Sequence, residues 1–261
     1  MILLRTVRAQ EQIPLDPPFS KGEDKQRPTI PSMSRDDALP IWPLPLAVAL
    51  VPVFAAHLAY ALSTEAGLAP ACMPYLDGCV TISRAARHGL GNHLFRLLML
   101  PCALLQALHW CAARHWLRLS HPDPAAGRSL LLLGVFAGTA LAVYVAFLGT
   151  EGEVYEWLRR YGARLYFAST YLAQLVLLRR YRQLPASQHD ALYRWMLIVS
   201  MAMLVVGLAN TAASYLVADE GLKDRLENLL EWHLGLLMTG WFLLQAVLWR
   251  RSGFRFSFVR D

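Results

Sequence analysis

The hydrophobic positions divide the chain into a polar beginning and six long apolar segments separated by polar loops. Residues 1–40 are rich in Pro, Asp, Glu, Lys and Gln and have no sustained apolar period. Most of the apolar segments approach the roughly 20 residues that an α-helix needs to cross about 30 Å of hydrocarbon. They cover residues 41–62, 94–117, 130–148, 165–178, 195–217 and 229–249, and the fourth is the shortest. The pattern predicts an all-α, polytopic integral membrane protein built as a six-transmembrane-helix bundle.

The composition supports this class. Hydrophobic residues make up 56% of the chain and charged residues 17%, and the mean hydropathy is +0.33. Soluble domains average roughly 45–50% apolar and about 25% charged residues, so this chain has too few polar residues to cover a water-soluble globule. Although the net charge is +6, Arg stands in pairs at the ends of apolar runs, as at 179–180 and 250–251. That placement is typical of membrane flanks, and we expect no nucleic-acid partner.

The same pattern predicts the organisation of the chain. We expect residues 1–40 to form a disordered cytoplasmic tail, residues 41–250 the transmembrane domain and residues 251–261 a short cytoplasmic tail. Lys and Arg are more frequent in the regions that an N-in/C-in orientation places inside, which favours that orientation. The Ala-, Leu- and Arg-rich composition is typical of a bacterial chain and favours the plasma (bacterial inner) membrane. Tryptophan lies mostly near segment ends, which predicts an interfacial belt.

Two of the four cysteines lie in the first loop. Cys72 and Cys79 are separated by six residues that include Pro and Gly. A turn of this kind allows a disulfide, and the predicted outer location permits one; two free thiols are the alternative. The chain has no CxxC pair and no HExxH sequence, so we predict no metal site and no cofactor.

Polar residues capable of acid–base chemistry gather where the predicted helices meet the outer face. His88 precedes the second segment, Glu156 follows the third, and Glu231 and His233 open the sixth. Ionisable groups near membrane depth are functional candidates, so these four residues are the predicted catalytic set, with a His as general base and a Glu that orients it. A solvated loop and interfacial side chains are the alternative interpretation.

Three arginines of the same region are candidates for binding a lipid headgroup phosphate. They are Arg84, Arg87 and Arg96, and each could equally be an interface anchor. Ser83 is the candidate nucleophile only because it lies in this loop.

The order of these features resembles a known family. Cys72, Ser83 and Arg96 in and after the outer loop, then Glu151 and Glu156 after the third helix, and Glu231 at the start of the last helix carry the likeness. Taken together they resemble the six-helix DRAM/Sfk-like family, which includes GPI-anchor lipid-remodelling proteins. Cys79 and residues 84–93 depart from the pattern. The resemblance implies a six-helix membrane protein that acts on lipids.

The predicted function is lipid handling, with acyl-chain remodelling of a membrane lipid at the outer leaflet as its specific form. The predicted partners are therefore membrane lipids. The alternative is a non-enzymatic scaffold or accessory subunit that binds lipid or a membrane-protein partner. A b-type cytochrome is a third reading, because the segments carry possible axial ligands. Those histidines are His57, His93, His109 and His233.

Overall fold

The computed structural model describes residues 4–5, 38–120, 127–184 and 190–258. Helices dominate these ranges, and three short strands accompany them. The helices are α1 (Pro43–Glu65), α2 (Pro74–Asp77), α3 (Ile82–Ala85), α4 (Gly89–Ser120), α5 (Arg128–Ala146), α6 (Glu153–Arg182), α7 (Ala191–Leu216) and α8 (Glu220–Arg251). The strands are β1 (Leu4–Arg5), β2 (Ala38–Pro40) and β3 (Arg255–Phe258).

Each predicted apolar segment coincides largely with one of the six long helices. Five of these, α1, α4, α5, α7 and α8, are long and apolar enough to cross a membrane. The fourth predicted segment lies in α6, which has 30 residues but carries Glu at its beginning and Arg at its end. The all-helical class is confirmed, with five candidate spans of an integral membrane protein. The sixth crossing and the N-in/C-in orientation stay predictions.

The small sheet joins the two ends of the chain. Strand β3 lies between β1 and β2 and pairs with both in antiparallel register, with Leu39 opposite Phe256. Most of the predicted disordered tail, residues 1–3 and 6–37, lies outside the described residues, as do residues 259–261 of the C-terminal tail.

The long helices form a ring. In the order α1, α4, α5, α6, α7 and α8, each contacts the next, and α8 closes the ring against α1. The contact between α6 and α7 is the loosest of these. Helices α4 and α5 lie so close that a Cβ added at Gly134 would overlap the Trp110 ring. A glycine is therefore required at residue 134 to let the two helices pack this closely.

Candidate functional site

The loop from α1 to α4, residues 66–88, folds into a compact cap over one end of the bundle. It contains α2 and α3, and a disulfide joins Cys72 to Cys79, whose Cα atoms are 6.6 Å apart. Gly78 ends α2 in the left-handed conformation, with a φ of 59°. This conformation is the usual end of a helix at glycine. The structure thus contains the predicted disulfide and uses it to close the α2 turn.

Buried hydrogen bonds fix the cap on α8. The Asn228 side-chain amide donates to the carbonyl oxygen of Gly78 at 2.8 Å, and the Trp232 indole N–H donates to that of Val80, also at 2.8 Å. Both donor side chains are buried, with 4% and 1% of their surface exposed. Because an unpaired buried donor is costly, these bonds hold the cap in one position on the helix.

Two further side chains fix the end of α3. The Ser63 hydroxyl on α1 donates to the carbonyl oxygen of Ala85 at 2.6 Å. The Asn92 amide on α4 donates to the carbonyl oxygens of Ala86 at 2.9 Å and Leu148 at 3.1 Å. The cap is therefore tied to α1, α4 and the end of α5 as well as to α8, and its polar side chains are held in place at this end of the bundle.

Below the cap lies a cavity of about 820 Å³ that is lined by residues of all six long helices and of α3. Its inner part is apolar, with side chains such as Phe95, Leu141, Met203, Met238 and Phe242. Its charged residues come from the cap, from the first turns of α6 and from the beginning of α8, and His57 of α1, Asn210 and Thr211 of α7 and Thr239 of α8 are further polar residues of the lining. The cavity is therefore amphipathic, with an apolar interior and a polar mouth beneath the cap.

One side of the mouth is formed by α3 and α8. The half-buried Glu231 carboxylate accepts a hydrogen bond from the Ser83 backbone N–H at 3.4 Å. Arg84 forms a salt bridge of 3.6 Å with Asp224, also on α8. Glu227, one turn before Glu231, accepts a hydrogen bond from Ser214 of α7 at 2.6 Å. This side of the mouth is therefore an ordered acidic and hydroxyl-bearing surface.

The opposite side is basic. Arg87 and Arg159, both half-buried, line the cavity here, and neither lies within salt-bridge distance of a carboxylate among the described residues. Glu156 also lines it but forms its salt bridge with Arg160, at 2.8 Å. Burial, and then the positive charges of Arg159 and Arg84, lower the pKa of the Arg87 guanidinium. These arginines are thus held close together in spite of their mutual repulsion.

A second cavity of about 270 Å³ adjoins the basic side. It is lined by Arg87, His88, the loop 149–152 that precedes α6, Glu156 and Arg159, none of which is a hydrophobic residue. The close approach of this loop requires glycine, because a Cβ added at Gly149 would lie 2.5 Å from the carbonyl oxygen of Arg87. The small cavity is therefore lined by polar residues and glycine, in contrast to the large one.

Along the loose contact between α6 and α7, residues that line the large cavity reach the surface at the side of the bundle. Leu204 and Leu208 of α7 line the cavity yet are exposed on the surface, at 38% and 61%. Ala168 and Arg164 of α6 likewise line the cavity and are exposed. This opening lies along the helices rather than at their ends, so it faces the hydrocarbon region if α7 spans the membrane.

The structure brings together some of the predicted site residues and separates others. Arg84, Arg87, Glu156 and Glu231 line the large cavity, whereas His88 lines only the small one, across from Glu156. Two candidates, Arg96 and His233, line neither cavity.

The placement of His233 follows from helix geometry. Its ring contacts Tyr75 of the cap, with centroids 5.9 Å apart, and its Nδ1 pairs with the carbonyl oxygen of Leu229 at 2.9 Å. Residues two apart on a helix point in different directions, so His233 faces away from the cavity that Glu231 lines. The predicted pairing of Glu231 with His88 or His233 is not assembled here, although His57 lines the same cavity as Glu231, whereas His88 and Glu156 do share a cavity.

Sequence reasoning missed Arg159. It lies three residues after Glu156 on α6, a spacing that places both on one helix face, and this spacing was the available signal. Within the described ranges, no three His, Cys, Asp or Glu side chains come together as metal ligands.

The two cavities are interpreted from the geometry of their own residues. The resemblance to the DRAM/Sfk-like family rests on the residues given above and stays a prediction. Comparison of the chain with protein-family models, curated proteins and solved structures found no match.

Proposed function

We propose that this protein handles membrane lipids, seating an acyl chain in the large cavity and the polar end of the lipid at the mouth beneath the cap. The observation that carries the proposal is the combination of an apolar interior, a polar mouth and a sideways opening in one cavity of about 820 Å³. Ligand sites of proteins commonly have this size and this distribution of polar groups.

The sideways opening accounts for how a lipid reaches the cavity. A chain that passes between Leu208 of α7 and Ala168 of α6 contacts apolar side chains at this point, and Arg164 lies one turn away on α6, toward the mouth. Its headgroup can then move along the membrane surface toward the arginines of the mouth. With the N-in/C-in orientation, the cap end is the outer face, so the lipid is drawn from the outer leaflet.

Discrimination between lipids depends on the mouth. An acyl chain in the bilayer is already out of water, so moving it into an apolar cavity brings no further hydrophobic stabilisation. Polar contacts at the headgroup therefore supply most of the selectivity, and the ordered groups around Glu231 and Arg87 are placed to make them.

Photo-crosslinking with a phospholipid that carries a mid-chain diazirine tests the proposal in nanodiscs. Met203 and Met238 line the cavity but are only 2% and 4% exposed, so lipid at the outer surface of the bundle cannot reach them. We expect adducts on both. Adducts confined to outward residues such as Val205 would contradict the proposal.

A matched pair of variants sharpens the test. Gly207 lines the large cavity, and a Cβ added there meets no atom within 4 Å. A Cβ added at Gly240 of α8 also meets no atom within 4 Å, but Gly240 lines neither of the two cavities. Gly207→Leu should reduce the labelling of Met203 and Met238 several-fold by filling the cavity. Gly240→Leu should leave it unchanged.

Acyl-chain remodelling is the enzymatic form of this proposal. Whole-cell lipid mass spectrometry of a deletion strain, complemented with wild type or Glu231→Gln at matched membrane levels, distinguishes it from the scaffold alternative. If one lipid changes its acyl composition and only wild type restores it, the protein remodels lipid chains. If Glu231→Gln restores everything, a non-enzymatic lipid-binding role is favoured.

A further inference from the structure

The two cavities share a wall, and that wall is basic. Arg87 and Arg159 line both cavities, together with Glu156. A group bound between the two arginines would therefore have the large apolar cavity on one side and the small cavity, lined by polar residues and glycine, on the other. A phosphodiester has this form, because its phosphorus carries one substituent on each side.

The shared wall carries positive charge that its own salt bridges do not neutralise. Of the nearby acidic groups, Glu156 pairs with Arg160 at 2.8 Å. Arg159 donates only a long bond of 3.5 Å to the carbonyl oxygen of Thr150. The Nε atom of Arg87 is buried without a hydrogen-bond partner among the described residues. Buried donors are normally paired, so an acceptor at this position would complete the site.

The small cavity can hold a compact polar substituent. Its groups include the Glu151 carboxylate and the His88 ring, which accept hydrogen bonds from hydroxyls, and it has no apolar side chain against which an acyl chain would pack. Its volume of about 270 Å³ is a third of that of the large cavity. Arg87 and Arg159 carry two positive charges, Glu151 carries one negative charge beside them, and Glu156 is paired with Arg160. One positive charge therefore remains, and the phosphate of a lipid with an uncharged headgroup compensates it.

We propose that Arg87 and Arg159 bind the phosphate of an anionic glycerophospholipid, with its acyl chains toward the large cavity and an uncharged, hydroxyl-bearing headgroup in the small cavity. This rests on the proposed function and names its ligand class. Arginine favours such a site because its planar guanidinium donates two parallel hydrogen bonds to phosphate oxygens.

Lipid competition in nanodiscs tests the assignment. Full-length protein is reconstituted in phosphatidylcholine, and a fluorescent phosphatidylglycerol is titrated against phosphatidylcholine with the same acyl chains. We expect phosphatidylglycerol to bind about tenfold more tightly. Both lipids carry the same phosphate, but only the glycerol headgroup has hydroxyls that donate to the Glu151 carboxylate, and hydrogen bonds to charged groups contribute this much or more. The choline ammonium is in addition repelled by the arginines. Arg159→Gln and Arg87→Gln should each abolish the preference, whereas Arg159→Lys should keep part of it.

Arg96→Gln is the matched control. Like Arg87→Gln, it removes one positive charge near the beginning of α4. Arg96 lines neither cavity, so the preference for phosphatidylglycerol should be unchanged. If Arg96→Gln weakens the preference as much as Arg159→Gln, the effect is one of general surface charge and the assignment is wrong.

Two further arms separate the possible failures. Inorganic phosphate and deacylated glycerophosphoglycerol are tested as competitors, and if either alone binds as tightly as the lipid, the site serves a soluble phosphate compound. If the protein binds phosphatidylglycerol and phosphatidylcholine equally well while zwitterionic lipid still labels Met203 and Met238, the headgroup assignment is wrong and the proposed function stands. If the protein shows no preference for phosphatidylglycerol and neither Met203 nor Met238 is labelled, both proposals are wrong.

Discussion

Replacing Gly78 by Ala tests whether docking of the cap on α8 holds the site together. Gly78 has a φ of 59°, and a Cβ added there would lie within 2.2 Å of the carbonyl oxygen of Arg225. Non-bonded heavy atoms pack at about 3.5 Å or more, so the cap must move by about 1 Å. That displacement stretches the two 2.8 Å hydrogen bonds to Gly78 and Val80 beyond hydrogen-bond distance.

The magnitude follows from these contacts. A Cβ in the left-handed conformation costs about 1–2 kcal/mol, and two buried hydrogen bonds contribute about 1 kcal/mol each. We therefore expect Gly78→Ala to lower the free energy of unfolding in detergent micelles by about 3–4 kcal/mol. Hydrogen exchange in residues 66–88 should rise at the same time, because the cap leaves α8.

Gly67→Ala is the matched control. Gly67 is in the same loop with a φ of 68°, but a Cβ added there meets no atom within 4 Å. Gly67→Ala should lower the free energy of unfolding only by the cost of a Cβ in the left-handed conformation, about 1–2 kcal/mol. It should leave hydrogen exchange in the cap unchanged. Equal destabilisation by the two variants would refute the docking of Gly78 against Arg225.

Two other predictions concern stability. Gly134→Ala should destabilise the bundle by about 1–3 kcal/mol or more, because its Cβ overlaps Trp110 and overpacking separates α4 from α5. Gly240→Ala, which meets open space on α8, should be neutral or slightly stabilising in the same unfolding measurement, and equal effects would contradict the α4–α5 packing. Reducing the Cys72–Cys79 disulfide, which closes a short loop with a sequence separation of 7, should lower stability by about 2–3 kcal/mol. A Cys72→Ser/Cys79→Ser double variant should be as unstable as the reduced protein, and dithiothreitol should not change its unfolding midpoint. If dithiothreitol lowers the midpoint of this variant further, the assigned role of the disulfide is wrong.

The sequence alone was sufficient to predict the six long helices, but not the short α2 and α3 of the cap, and α6 and α8 begin well before the predicted residues 165 and 229. In hydrocarbon every backbone N–H and C=O must be paired within the chain, so a long apolar segment has little alternative to a helix. The cysteine pair was predictable for a similar local reason, because Cys72 and Cys79 are close enough along the chain for a turn to join them. The sequence also placed Glu156, Glu231 and the arginines near one end of the bundle.

Tryptophan shows where this reasoning failed. Positions near segment ends predicted an interfacial belt, yet four of the eight tryptophans are fully buried. They are Trp110, Trp232, Trp241 and Trp249. Three of them pack around the core between α4 and α8, and Trp232 holds the cap. Position along a helix gives depth but not the neighbour that covers the side chain.

The site itself was decided by the tertiary structure for the same reason. Glu231 and His233 have almost the same depth, but only Glu231 lines the cavity, because residues two apart point to different sides of α8. Arg96 lies outside the cavities and Arg159 lines both. The apolar and polar pattern of this chain determines how deep each side chain lies. The rotation of each helix and the order of helices around the ring come only from packing between distant segments, and these determine which side chains meet.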